Sequence, residues 1–229
     1  MRTIHFRALA VGSLALLTFG SPVAAQTSST GVLNAVEVRQ LIVSTQPADQ
    51  VRLGVHFAAL ADWYTAEARR HTSMSQSFAG NPSRSLATGM SAHCKRLSEL
   101  NTQSATTVRE LATYYQKLAA GIASEPPRDG ARFQGGAGAP EPTVQALNAL
   151  AAKAGTPADH RALEEYFLTL AKRYTAEADE HTALANAYRG TRIAQAAVHC
   201  DRLVTLSRAS AKEATEAAAM HKQLAGIAR

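Results

Sequence analysis

The chain has 229 residues, of which 46% are hydrophobic, 6% aromatic and 18% charged, and its formal net charge is +6. Alanine supplies much of the hydrophobic fraction and strand-favouring residues are sparse, which argues against an all-β or a Rossmann-type fold. Two cysteines are too few for a disulfide framework, and the sequence contains no G-x-S-x-G, no H-E-x-x-H and no phosphate-binding glycine loop. We therefore predict an all-α protein that is not an enzyme.

The first 25 residues have the pattern of a secretory signal peptide. Arg2 and Arg7 precede an apolar run over residues 8–19, and small residues at 23–25 come before Gln26. The apolar run is shorter than the roughly 20 residues that a membrane-spanning helix needs. We expect residues 1–25 to be removed on export, which makes the mature protein periplasmic or secreted and without a membrane span.

A segment of the mature chain occurs twice. The letters YTAEA at Tyr64–Ala68 recur 110 residues later at Tyr174–Ala178, and His93-Cys94 matches His199-Cys200 at an offset of 106. The first copy therefore carries four extra residues, around 81–84. An insertion of this kind indicates a loop.

Each copy contains two long segments in which apolar residues recur at the 4-3-4-3 spacing of a helix that buries one stripe. The two segments are expected to form a hairpin that turns at Gly80 in the first copy and at Gly190 in the second. Thr156 is a candidate N-cap, with Pro157 and Asp159 in the first helical turn.

The two hairpins are expected to pack on each other, because each one alone exposes its apolar stripe. We predict an antiparallel four-helix bundle in which residues 26–123 form the first repeat and residues 143–229 the second. A linker rich in Pro and Gly joins them over 124–142, and a short apolar helix precedes each hairpin. The alternative arrangement is a homodimer formed through the same stripe.

Glutamate and histidine interrupt the apolar stripe at matched positions in both copies. If both turns lie at one end of the bundle, four imidazoles share one layer, with two carboxylates about one helical turn, roughly 6 Å, away. Imidazole and carboxylate are ligands for Cu, Zn or Fe, and a metal would offset the cost of burying these groups. The predicted metal ligands are Glu67, His71, His93, Glu177, His181 and His199.

A hydrogen-bonded polar layer without metal explains the same residues. In that case Arg96 can pair with Glu67 and Arg202 with Glu177, while Tyr64 donates a hydrogen bond nearby. The sequence leaves both hypotheses open: a metal-binding protein, or a structural or interaction module of the cell envelope.

The Glu/His pattern resembles that of ferritin-like di-iron bundles only in part. Its spacing is Glu-x-x-x-His in place of Glu-x-x-His, and Glu110 and Glu216 are expected about 25 Å from the histidine layer. Iron oxidation is therefore not implied. Met74 and Met90, each three residues from a predicted histidine ligand, favour copper in the first copy alone.

The remaining signals concern partners and thiols. The basic residues are spread along both halves without a cluster, so nucleic acid is not a predicted partner, which leaves a metal ion or an envelope protein. Cys94 and Cys200 can form one disulfide, remain free thiols or bind a soft metal. Three further histidines are expected to be surface or packing residues: His56, His160 and His221.

Overall fold

The computed structural model describes residues 33–121 and 142–227, and every regular element in these ranges is helical. The six α-helices described are α1 Ala35–Leu41, α2 Pro47–Ala79, α3 Ser91–Ala120, α4 Val144–Lys153, α5 Pro157–Arg189 and α6 Ala196–Ile227. The predicted all-α class is confirmed. The predicted signal peptide and nearly all of the predicted linker lie outside the described residues.

Local sequence signals account for where several helices begin. The Asn34 side chain caps α1 by accepting hydrogen bonds from the backbone N–H groups of Val36 and Glu37. Thr156 caps α5 in a reciprocal capping box with Asp159, as the sequence predicts. At α2, Gln46 occupies the N-cap without a side-chain hydrogen bond.

The two long turns differ in length, as the insertion predicts. The first turn, residues 80–90, ends in a π-helix at Leu86–Met90 that runs directly into α3. The second turn, residues 190–195, is the shorter one. Asn81 of the first turn is buried, and its side chain donates hydrogen bonds to the carbonyls of Ala151 and Ala154 at 2.9 and 3.3 Å.

The long helices pack in pairs that run in opposite directions. Helix α2 packs against α3, α5 packs against α6, and α3 packs directly on α6. His93 at the start of α3 contacts Glu213 in the second half of α6, whereas Glu110 late in α3 contacts His199 at the start of α6. The first turn therefore lies at one end of the molecule, called the first end, and the second turn lies at the other, called the second end.

The short helices connect the two pairs. Helix α4 precedes α5 in sequence but packs mainly against α2, where Asn148 Nδ2 lies 2.6 Å from Ser73 Oγ. Helix α1 contacts both α2 and α5. Each short helix thus fastens one hairpin to the other.

The apolar core has two halves, and each contains residues from both hairpins. The half at the first end includes Met74, Met90 and Cys94 from the first hairpin together with Phe167 and Ala214 from the second. The half at the second end combines side chains of α1, α2, α3, α5 and α6. Within the described ranges, no helix combines the length and the apolar character needed to cross a lipid bilayer.

The capping difference between α2 and α5 gives a first prediction. Thr156→Ala should lower the free energy of unfolding by about 1 kcal/mol, since it removes the hydrogen bond to the Asp159 backbone N–H. Gln46→Ala at the equivalent position of α2 is the control, and it should change stability by less than half as much. Urea unfolding followed by circular dichroism measures both, and equal losses would contradict the assigned caps.

Candidate functional site

The structure separates the six residues predicted as metal ligands. The expected layer of four imidazoles does not form, because the hairpins are docked with their turns at opposite ends. His93 faces Glu213, which follows His199 by 14 residues, about 21 Å along α6. His71 and His93 therefore belong to the first end, and His181 and His199 belong to the second.

Glu67 and Glu177 lie in a polar network midway between the two ends. Glu67 is 2% exposed and accepts from Arg173 at 2.8 Å across the hairpins, and Arg70 lies 3.3 Å away on its own helix. Glu177 accepts a hydrogen bond from Tyr64 at 3.0 Å, and Arg173 Nε is 3.8 Å from it. The expected pairs of Arg96 with Glu67 and of Arg202 with Glu177 are wrong, because Arg173 takes their place.

Further contacts hold Arg173 in this position. Its guanidinium lies 4.7 Å from the ring centroid of Trp63 and 5.6 Å from that of Tyr174. The Tyr174 hydroxyl accepts a hydrogen bond from Asn101 Nδ2 at 2.7 Å. Both carboxylates of this network therefore have side-chain partners from the opposite hairpin, Arg173 for Glu67 and Tyr64 for Glu177.

Burial changes the ionisation of this network. It raises the pKa of Glu177 to about 7, although Arg173 and the hydrogen bond from Tyr64 act in the opposite direction. It also holds the pKa of Tyr64 well above its usual range, so this hydroxyl remains protonated and can donate. In the contact between them, the Tyr64 hydroxyl is the hydrogen-bond donor and the Glu177 carboxyl group is the acceptor.

His71 and His181 are buried in the core without being brought together. Neither ring nitrogen of His71 has a hydrogen-bond partner among the described residues, and the same holds for Nδ1 of His181. Burial, with the nearby charges of Arg173 and Arg70, lowers the pKa of His71 to about 3. Burial and His56 lower the pKa of His181 to about 4. Both imidazoles are therefore neutral at pH 7.

His93 belongs to a compact group of ligand-type side chains at the first end. Its Nδ1 lies 2.5 Å from Glu213 Oε1, and Glu216 is one helical turn farther along α6. One ligand atom from each of these three residues lies within 4.8 Å of the other two. The side chains of His93 and Glu213 are about one-fifth exposed and that of Glu216 about one-half, so solvent reaches the group.

The equivalent group at the second end has one carboxylate fewer. His199 Nδ1 lies 3.6 Å from Glu110 Oε2. The residue three before Glu110 is Thr107, whereas the residue three before Glu216 is Glu213. Arg109 and Lys117 line the open groove beside His199, whose volume is about 420 Å³.

Two predictions about distance are overturned by this arrangement. Glu110 and Glu216 were expected about 25 Å from the histidines, yet each lies beside a histidine of the opposite hairpin. Each glutamate is indeed far from the histidine of its own helix. Because α3 and α6 run in opposite directions, each glutamate lies beside the histidine of the other helix instead.

Met74 and Met90 pack in the apolar core of the first end.

The cysteines are free and buried, each in a different half of the core. Cys200 lies near the start of α6. Cys94 is next to His93, which contacts Glu213, and Glu213 is about 20 Å farther along α6 than Cys200. The antiparallel docking therefore keeps the two sulfur atoms beyond disulfide distance.

Of the two roles predicted for His56, His160 and His221, surface or packing, the structure shows packing. Each is no more than 6% exposed. His160 Nδ1 and His221 Nδ1 are 3.3 Å apart, and the His221 ring stacks on Phe167. The available signal was the helical spacing, since His221 follows the buried residues Ala214 and Ala217 by seven and four residues.

No family model, no curated protein and no solved structure matches this chain.

The central network gives a second prediction. Arg173→Met should lower the free energy of unfolding by about 1.5 to 3 kcal/mol, because it removes a charged hydrogen bond from buried Glu67. The neighbouring exposed residue provides the control, and Lys172→Met should change stability by less than about 0.5 kcal/mol. The double variant Glu67→Gln/Arg173→Met should lose less than the sum of its single variants, and strict additivity would contradict the contact.

The buried histidines give a third prediction, on pH. Below pH 6.5 the unfolded chain protonates His71, whereas the folded chain does not until about pH 3, so stability falls as the pH drops through this window. Within this window His71 lowers the free energy of unfolding by about 1.4 kcal/mol for each unit by which the pH drops. Glu177, whose pKa is raised, increases the free energy of unfolding as the pH drops.

His71→Leu isolates the effect of His71. The variant should gain stability relative to wild type as the pH is lowered from 6.5 to 4.5, as measured by urea unfolding at four pH values. A difference that stays constant over this range would mean that His71 titrates alike in the folded and unfolded chains.

Proposed function

We propose that this chain is an exported, non-enzymatic four-helix bundle that binds a divalent transition metal through His93, Glu213 and Glu216. The observation that carries the proposal is the cluster itself, in which three ligand-type atoms from two antiparallel helices lie within 4.8 Å of one another. One imidazole nitrogen with two carboxylate oxygens is a donor set suited to Zn²⁺ or Fe²⁺. Three protein ligands leave a coordination position for water or for a partner's ligand.

The bundle part of the proposal rests on the pairing of the long helices. Helices α2 and α5 have 33 residues each and begin with the same Pro-Ala-Asp sequence. The contacts of His93 with Glu213 and of His199 with Glu110 are reciprocal between the two halves. Two homologous hairpins related by an approximate two-fold axis account for both observations.

Export to the periplasm or beyond is proposed from residues 1–25, and the thiols are compatible with it. Burial raises the pKa of the Cys94 thiol far above its usual range and that of Cys200 to about 12. Protonated, buried thiols react slowly, so both can persist in an oxidising compartment.

The second candidate function is a structural or interaction module of the cell envelope without metal. The observation that favours it is the central network, where Arg173 contacts Glu67 and Tyr64 donates a hydrogen bond to Glu177. In this hypothesis the polar layer fixes the register of the helices, and the carboxylates beside His93 are surface charges. The partner would then be an envelope protein.

Zinc titration of the mature, chelator-treated protein tests the metal site. One equivalent of Zn²⁺ per chain should bind in isothermal titration calorimetry, and Glu213→Thr should weaken it at least tenfold, because it installs the residue that the other half has at this position. His93→Gln should abolish binding. His199→Gln is the matched control and should retain it, as should His71→Leu, since neither residue touches the cluster.

Elemental analysis of untagged protein from its native compartment completes the test. A chain that carries no metal and takes up neither zinc, iron nor copper would overturn the proposal and favour the structural module. If the His93→Gln variant binds zinc as well as the wild-type protein does, the metal site lies elsewhere in the chain.

A further inference from the structure

The two halves of the core contain matched stacks of rings that differ in chemistry. At the second end, Tyr115 stacks on Phe57, and its hydroxyl lies 2.6 Å from that of Tyr188. At the first end, the sequence counterpart of Tyr115 is His221, which stacks on Phe167, the counterpart of Phe57. The fold therefore accepts either a tyrosine or a histidine at this buried position.

His221 cannot form the polar contact that Tyr115 forms, because the counterpart of Tyr188 is Phe78. It faces His160 instead, with 3.3 Å between the two Nδ1 atoms and 5.5 Å between the ring centroids. These distances place both Nδ1 atoms close to the line that joins the ring centres. The two nitrogens therefore point at each other.

Hydrogen bonding satisfies this imidazole pair poorly. His160 is 4% exposed and His221 is fully buried. Hydrogen bonds from N–H groups are usually about 2.7 to 3.2 Å long, so the contact at 3.3 Å is a weak one. In addition, His221 Nε2 is buried and has no hydrogen-bond partner among the described residues. The imidazole pair is thus more costly to bury than the matched tyrosine pair, and packing alone does not explain it.

The surroundings of the pair favour a soft ion of low charge. Asp159, the acidic residue next to His160, accepts hydrogen bonds from the backbone N–H groups of Gly155 and Thr156 at the start of α5. An ion between two neutral imidazoles keeps its charge, and the cost of burying a charge rises with the square of that charge. Thioether sulfur favours Cu(I), and the methionines of the described residues all pack in this half of the core: Met74, Met90 and Met220.

We propose that His160 and His221 bind one copper(I) ion between their Nδ1 atoms. Two nitrogens that point at each other suit a linear, two-coordinate Cu(I), whereas Zn²⁺ requires a tetrahedron of ligands. Metal–imidazole bonds of about 2.0 Å set the nitrogens about 4 Å apart, so each ring withdraws by roughly 0.4 Å when the ion enters. Both imidazoles then keep their ring proton on Nε2 and stay neutral. The site shares no residue with the His93 cluster.

Anaerobic titration of the mature His93→Gln variant with copper(I) tests the proposal, because this variant lacks the proposed zinc site. One equivalent of Cu(I) per chain should bind in competition with the chelator bicinchoninate. Copper(I) is diamagnetic, so ¹⁵N NMR can follow the imidazoles directly. The Nδ1 resonances of His160 and His221 should shift, and those of the other histidines should not. Zn²⁺ added to the same protein should leave both resonances unchanged.

The other half of the chain supplies matched variants of the pair. His160→Gln installs the residue found at the counterpart Gln50, and His221→Tyr installs that of Tyr115, so both substitutions suit the fold. Each variant should weaken copper(I) binding at least about a hundredfold, the upper end of the loss expected for a residue that only supports a ligand. Urea unfolding checks that both variants remain folded.

Two further variants test other copper ligands. His71→Leu removes a buried histidine outside the pair, and Cys94→Ala removes the thiol of the same core half. Both should bind Cu(I) as tightly as the His93→Gln protein does. Loss of binding in Cys94→Ala would place the ion on the thiol and overturn the proposal.

Other outcomes would also exclude the site. These are absence of Cu(I) binding, binding that survives both His160→Gln and His221→Tyr, and resonance shifts at other histidines alone. The NMR measurement uses the unmutated pair, so it decides the matter even if a substitution impairs folding. Because the zinc titration depends on another ion and other residues, either site can fail without the other.

Discussion

The buried carboxylate of Glu67 is the constraint on which the docking of the two hairpins depends. A carboxylate that is 2% exposed is costly unless a cation and hydrogen bonds compensate it, and Arg173 of the other hairpin supplies both at 2.8 Å. Arg173 also stacks on Trp63 and lies beside Glu177, so sliding α5 along α2 by one helical turn would break several contacts at once. The network therefore selects one register among the many that an alanine-rich stripe permits.

In that register the core has two halves, and each half is built from the beginnings of two long helices and the ends of the other two. Both core halves contain apolar side chains from both hairpins, so each hairpin needs the other to bury its apolar stripe. The same geometry keeps Cys94 and Cys200 apart and leaves both as free thiols. It also places each short helix across both hairpins, where Asn148 of α4 meets Ser73 of α2.

The two ends share a plan but differ in chemistry. His93 faces two carboxylates, whereas His199 faces Glu110 alone and borders a groove with basic side chains. Asn81 of the longer first turn donates a hydrogen bond to the Ala151 carbonyl of α4, whereas the shorter second turn borders an open cleft whose lining includes Arg192 and Ile193. One arrangement of helices thus places a metal-type donor set at one end and a single histidine–glutamate pair beside basic side chains at the other.

The sequence by itself determined the helices, the caps at Thr156 and Asp159, the turns at Gly80 and Gly190, and the four-residue difference between the turns. These features depend on interactions within about four residues, which a linear pattern records. Only the tertiary structure decided which way the hairpins dock, because the same apolar stripe can be buried with the turns together or apart. That choice moved Glu110 and Glu213 beside the histidines and dispersed the expected imidazole layer. Its physical reason is long-range pairing, chiefly Arg173 with Glu67, whose partners lie 106 residues apart in the chain.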